Sequence, residues 1–139
     1  MADTVEILVV DDDPSMREFL AAFLAARGYE AITHDRAEPA VAAFRERRPA
    51  AVILDVVLPG EMDGLAALAA FRRIDRDVPV IVVSGHGRTA TVVQAMKLGA
   101  TDFVSKPFLD ADLDAPLVTA LRHRTVTREV ALLKEELQT

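Results

Sequence analysis

The chain has 139 residues, 51% of them hydrophobic and 27% charged, which suits one folded domain with an added element and leaves no room for a second catalytic domain. Its net charge of -6 disfavours direct nucleic-acid binding, which needs clustered Lys and Arg to displace counterions from phosphates. With no cysteine it has neither disulfides nor thiolate metal sites, which suits a cytoplasmic setting; no secretory signal or membrane span is expected either, since the apolar runs around Ile53 and Ile81 are broken by Asp55 and Ser84.

Short β-branched runs alternate with helical patterns along the chain. Val5 to Val10 reads as a strand; Met16, Phe19, Leu20, Phe23 and Leu24 then recur on one helical face, opened by Asp13-Pro14 and stopped at Gly28. A strand near Glu30 to Thr33 precedes a helix marked by Ala37, Ala40, Val41 and Phe44, which runs up to Arg47 or Arg48 and is stopped by Pro49. Ala51 to Leu54 is a third strand, and after a Pro59-Gly60 turn a helix runs from Gly64 to Arg73. Pro79 to Val83, Thr89 to Leu98 and Thr101 to Val104 continue the alternation as strand, helix and strand. A last helix covers Asp110 to His123, with a kink or a restart near Asp114 expected from Pro116.

Strands that are apolar throughout rather than alternating imply a parallel sheet buried on both faces. The expected fold is α/β, a doubly wound five-stranded sheet of flavodoxin-like order 2-1-3-4-5, in which ligands bind beyond the carboxyl ends of the strands. Asp11 and Asp12 follow the first strand, Asp55 the third, Ser84 the fourth and Lys106 the fifth. All five are therefore expected in one crevice.

Three carboxylates brought together repel one another unless a cation neutralises them. Oxygen ligands without His or Cys favour Mg2+, with Mn2+ as the alternative, held directly by Asp12 and Asp55, through water by Asp11, and by the Val57 carbonyl. Asp55 so placed can attack a phosphoryl group to form an aspartyl phosphate, while Lys106 and Ser84 engage its oxygens. Each residue taken singly has a plainer reading as a turn, a cap or a strand end; the set in these slots carries the argument.

The stretches Ile7 to Asp13, Val52 to Pro59 with Met62 to Leu65, Val80 to Gly85, and Ala95 to Phe108 resemble the receiver family of two-component response regulators. The likeness spans about residues 1–122, leaving 123–139 as a helical linker or short coiled-coil tail. Ser84 to Gly87 followed by Ala95 to Ala100 is similar to receivers of nitrogen-regulation type transcriptional activators. The resemblance implies Asp55 as phosphoacceptor, Asp11 and Asp12 as the acidic pair for magnesium, Ser84 as switch hydroxyl, Lys106 as the family's lysine, Phe103 as the switch aromatic and a cis Lys106-Pro107 bond. It also implies a histidine kinase or phosphotransfer protein as partner and an effector domain in a longer chain.

Two departures stand out. Gly60-Glu61 lengthens the loop after the phosphoacceptor strand by one residue. Val57, two residues past Asp55, cannot orient an attacking water through its side chain, so slow self-hydrolysis is expected; it also stands where an aspartyl-phosphate phosphohydrolase would carry its general-acid Asp. His86 is read as a loop histidine rather than a catalytic base. No phosphate-cradling glycine loop follows the first strand, which weakens nucleotide-binding readings. In the tail, Val126, Val130, Leu133 and Leu137 are spaced 4, 3 and 4, with Glu129 and Lys134 flanking them. That seam reads equally as a homodimeric coiled coil or as a helix packing on its own domain or fraying.

Overall fold

The computed structural model describes residues 4–85 and 89–138, and the side chains of these apart from 123–129, 131 and 138. Strands β1 (Val5–Val10), β2 (Tyr29–His34), β3 (Ala51–Asp55), β4 (Val80–Ser84) and β5 (Asp102–Ser105) form one parallel sheet in the order β2-β1-β3-β4-β5. Helices α1 (Pro14–Ala26), α2 (Ala37–Arg47), α3 (Gly64–Ile74), α4 (Thr89–Lys97) and α5 (Asp110–Gln138) follow the strands in turn. The expected class and strand order are both observed.

Side chains alternate across each strand, so the apolar runs supply two cores at once. Leu8, Val10, Leu54 and Val82 pack with Phe44, Leu68 and Phe71 of α2 and α3. Ile7, Val9, Ile53, Ile81 and Val83 pack on the other face with Leu20 and Leu24 of α1 and Leu113 and Leu117 of α5. A strand buried on both faces tolerates no polar residue until its end, and there the first polar side chains emerge.

Local chemistry accounts for the boundaries. Asp13 caps α1, accepting from the Ser15 amide at 3.0 Å, and Asp63 caps α3, accepting from the Ala66 amide at 2.8 Å. Gly28, with φ 83°, turns the chain after α1; at the end of α2 the same left-handed region is occupied by Arg48, with φ 47°, before Pro49. β3 and β4 each run one residue beyond their apolar stretch, since Asp55 pairs with Val83 and Ser84 with Ser105. Ladder pairing uses the backbone and continues past the point where the side chains turn polar.

At Pro116 the expectation of a restart near Asp114 is corrected: α5 is one helix from Asp110 to Gln138. Pro116 lies in the second turn, where only the bond to the Asp112 carbonyl is lost, and burial of Leu113, Leu117 and Ala120 holds the helix on both sides of it. The tail joins this helix without a break at residue 122. Val130, Leu133 and Leu137 are exposed; the side chains of Val126 and Glu129 lie outside those described. No helix among the described residues is long and apolar enough to cross a membrane.

Candidate functional site

β1 and β3 are adjacent and in parallel register, Val10 opposite Leu54, so the residues that follow both strands emerge side by side. Carboxylate oxygens of Asp11, Asp12 and Asp55 all lie within 4.8 Å of one another. Asp11 is wholly buried and committed: Oδ1 accepts from the Asp13 amide at 2.9 Å and Oδ2 from Lys106 Nζ at 2.8 Å. Asp55 is buried too, with Oδ1 accepting from the Val57 amide at 2.9 Å and Oδ2 from Lys106 Nζ at 2.9 Å. Asp12 is exposed.

Lys106 reaches both carboxylates because β5 lies beyond β4, and its amide donates to the Ser84 carbonyl at 2.6 Å. Ser84 is buried, its hydroxyl donating at a long 3.3 Å to the Gly85 carbonyl. The four elements thus bring together all five residues singled out by their position after the strands. The Lys106-Pro107 peptide is cis, as the resemblance implied. Phe103, on β5, is 45% exposed, facing solvent rather than the core. His86 lies outside the described residues.

Burial raises the Asp55 pKa, and the Val57 amide and Lys106 only partly offset that rise. For Lys106 desolvation pulls downward, but hydrogen bonds to Asp11 and Asp55 overcome it and the net shift is upward. The ammonium is thus a firmly charged counter-ion for two carboxylates, one of which is reluctant to ionise.

Among the described residues the donor set fits a hard divalent cation: three carboxylates, one of them exposed. Both oxygens of Asp11 and both of Asp55 already accept hydrogen bonds, whereas Asp12 is the exposed carboxylate of the three. Val57 meets Asp55 through its amide, and its carbonyl remains the candidate protein ligand expected from the chain order.

Several supporting contacts escaped the sequence reading. The Val57 and Asp13 amides turn back onto the carboxylates two residues before them, a local habit of Asp that could have been anticipated. Arg17 Nη1 donates to the Asp11 carbonyl at 2.9 Å, a contact with no sequence signal. Gly64 is packed so closely that a Cβ there would stand 2.4 Å from the Asp55 carbonyl oxygen and from Val56 Cα. The lengthened loop is held by Glu38 of α2, whose Oε1 accepts from the Met62 amide at 3.2 Å, and Gly60 within it has φ 96°.

Comparison with known proteins agrees with this geometry. The Response regulator receiver domain family matches residues 7–117. The chain is 40% identical over 131 residues to the nitrogen assimilation regulatory protein NtrX of Azorhizobium caulinodans, covering 94% of this chain and 29% of that protein. It is 38% identical to the probable transcriptional regulator ycf27 of Pyropia yezoensis, covering 84% of this chain and 47% of the relative. The crystal structure of the receiver domain of NtrX from Brucella abortus superposes with a TM-score of 0.80 at 40% identity, covering 84% of this chain and 98% of that one. The chain thus spans less than half the length of the curated relatives named here. From the carboxylate cluster, the sheet order and these matches together, the chain belongs to the response regulator receiver domain family of two-component signalling.

Proposed function

We propose that this domain accepts a phosphoryl group on Asp55 from a histidine kinase or phosphotransfer protein and changes conformation in response. The observation that carries the reading is the Asp55 carboxylate at the end of β3, gripped by the Val57 amide and Lys106 and within 4.8 Å of Asp11 and Asp12. A Mg2+ or Mn2+ ion held by Asp12, Asp55, the Val57 carbonyl and, through water, Asp11 would supply charge neutralisation for the carboxylates and the transferring oxygens. An Asp55 oxygen forms the new bond to phosphorus as the bond to the donor imidazole breaks, and the freed nitrogen keeps the electron pair and takes a proton from water. Lys106 follows the growing negative charge. Ser84, whose hydroxyl makes one long bond to Gly85, turns toward a phosphoryl oxygen, and Phe103 moves inward into the space this leaves.

This is a signalling phosphoacceptor rather than a turnover enzyme, since Val57 stands where an aspartyl-phosphate hydrolase needs an acid. Self-phosphorylation from small phosphodonors requires the metal, and loss of the phosphoryl group is slow. A reversal of the switch from 1:99 to 99:1 needs about 5.5 kcal/mol of differential interaction, which a group carrying about -1.5 to -2 charges can supply through Ser84, Lys106 and amides.

Residues 1–122 form the receiver, in the cytoplasm, with no direct contact to nucleic acid, and 123–139 lead toward an effector domain or pair with a second copy. The exposed Val130, Leu133 and Leu137 support pairing. At 100° per residue their stripe points about 130° away from the Leu113, Leu117 and Ala120 stripe that faces the core. Light scattering with and without a phosphoryl mimic reads the assembly state. Incubation with Mg2+ and a small phosphodonor should add a phosphate-sized mass to the wild type and none to Asp55→Asn; a persistent increment in the variant would remove Asp55 from its role.

A further inference from the structure

Asp11 has every polar group engaged. Its amide donates to the His34 carbonyl of β2 at 3.1 Å, and its two carboxylate oxygens accept from the Asp13 amide and from Lys106. Those three bonds come from strand pairing, a local turn and the counter-ion of the cluster. The fourth is different in kind: the Asp11 carbonyl accepts from Arg17 Nη1 at 2.9 Å, a side chain six residues further on and the fourth residue of α1.

That carbonyl belongs to the peptide joining Asp11 to Asp12. A peptide unit is planar, so gripping its oxygen also sets the Asp12 amide and the direction in which the Asp12 Cα leaves the strand. Asp11 and Asp55 are aimed by bonds to their carboxylate oxygens, from Lys106 and from the Asp13 and Val57 amides. Asp12 is the exposed carboxylate of the cluster, and its aim is set through its backbone.

Helix electrostatics disfavour a cation at this place. The N-terminal end of a helix is the positive pole of its dipole and favours acidic side chains, yet α1 has none in its first turn and carries Arg17 at its fourth position. Helical side chains lean toward the N-terminus, and Arg17 uses that lean to reach back past the Asp13 cap. The ion pairs among the described residues include neither Arg17 nor Asp12. Lys106 therefore neutralises the two buried carboxylates, while the half-buried Arg17 binds a neutral carbonyl and leaves the charge of Asp12 uncompensated.

We propose that Arg17 is a positioning residue for the divalent cation: it holds the Asp11–Asp12 peptide so that Asp12 is aimed at the ion, without pairing with Asp12 itself. This inference rests on the reading of Asp11, Asp12 and Asp55 as a cation site. Its signature is one of sign. A guanidinium beside the site repels a divalent cation, so by Coulomb's law alone removal of Arg17 would tighten metal binding. Positioning demands the reverse.

The test uses the full chain as wild type, Arg17→Met and Arg17→Lys, with two readouts: Mg2+ affinity from an NMR titration of the backbone amides, and amide hydrogen exchange in chelator. Arg17→Met should weaken Mg2+ binding by roughly tenfold, as loss of a hydrogen bond from a charged donor implies. In chelator its Asp12 and Asp13 amides should exchange faster, with the amides of β3 and β4 unchanged. Arg17→Lys keeps the charge but lacks the planar fork, so electrostatics alone predicts wild-type affinity and positioning predicts a value between wild type and Arg17→Met. Unchanged or tighter Mg2+ binding by Arg17→Met, weaker binding with wild-type exchange at Asp12 and Asp13, or faster exchange shared by β3 and β4 would each overturn the proposal. If Arg17→Met does not fold, Arg17→Lys decides by the same two readouts. A wild type that binds no Mg2+ removes the cation reading and this inference together; a wild type that binds it, with Arg17→Met equally tight, removes the role of Arg17 alone.

Discussion

Replacing Lys106 with Met removes the counter-ion from two carboxylates while keeping most of the aliphatic volume. Lys106 Nζ stands 2.8 Å from Asp11 and 2.9 Å from Asp55, whose side chains are 1% and 9% exposed, while its own is 22% exposed. Breaking a fully buried pair costs about 3–5 kcal/mol; with water able to reach part of the vacancy, about 2–3 kcal/mol is expected here. For a small domain that corresponds to a fall in urea midpoint of about 1–2 M, measured in chelator at neutral pH. Mg2+ should then return much of the loss, since an ion in hundredfold excess over its Kd stabilises by about 2.7 kcal/mol. Its increment should be larger in the variant, because in the wild type the ion must share carboxylates with an ammonium already seated. The cost should also shrink as pH falls, when Asp55, left without its cation, takes up a proton. Equal losses with and without Mg2+, or a loss below about 0.5 kcal/mol, would refute the claim that Lys106 is the resident counter-ion of the cluster.

Asp55→Asn should raise the thermal midpoint at neutral pH. The folded-state pKa of Asp55 is raised by burial, so its favourable contribution belongs to the protonated form and is lost as pH rises through that value; the advantage of Asn should narrow on acidification. Gly64→Ala should cost about 1–3 kcal/mol in urea unfolding, since the Cβ would meet the Asp55 and Val56 backbone, and should weaken Mg2+ affinity by displacing Asp55. Wild-type affinity in that variant would contradict the tie between α3 and Asp55. Arg27 is paired with Asp114 and lies over the Phe23 ring, 3.7 Å from its centroid, joining α1 to α5. Arg27 lowers the Asp114 pKa, so the pair contributes above the unfolded carboxylate value and is lost as pH falls through the lowered one. The midpoint deficit of Arg27→Met should therefore be present at neutral pH and narrow in acid; a deficit independent of pH would leave only the lost stacking on Phe23.

Much of the fold was legible because it depends on short-range rules. Apolar runs announced the strands, Asp13-Pro14 and Gly28 bracketed α1, and Pro49 marked the end of α2. Strand ends were off by a residue, the last helix runs on past His123, and the alternative of a restart near Asp114 came from weighing the missing donor of Pro116 above the burial of Leu113 and Leu117, which lie on the same helical face. The convergence of Asp11, Asp12, Asp55, Ser84 and Lys106 was legible as well, since a parallel sheet sends the residues after every strand to one edge.

Chain order alone determined which residues reach that edge and what chemistry they can offer. Only the tertiary structure decided how they are occupied there: Lys106 between Asp11 and Asp55, the Val57 amide on Asp55, Arg17 behind Asp11, Gly64 against the Asp55 carbonyl, and Arg72 spanning three carbonyls. The physical reason is range. Periodicity and capping act over a few residues, whereas hydrogen bonds between segments tens of residues apart depend on strand stagger and helix docking to a fraction of an ångström, which no local pattern encodes.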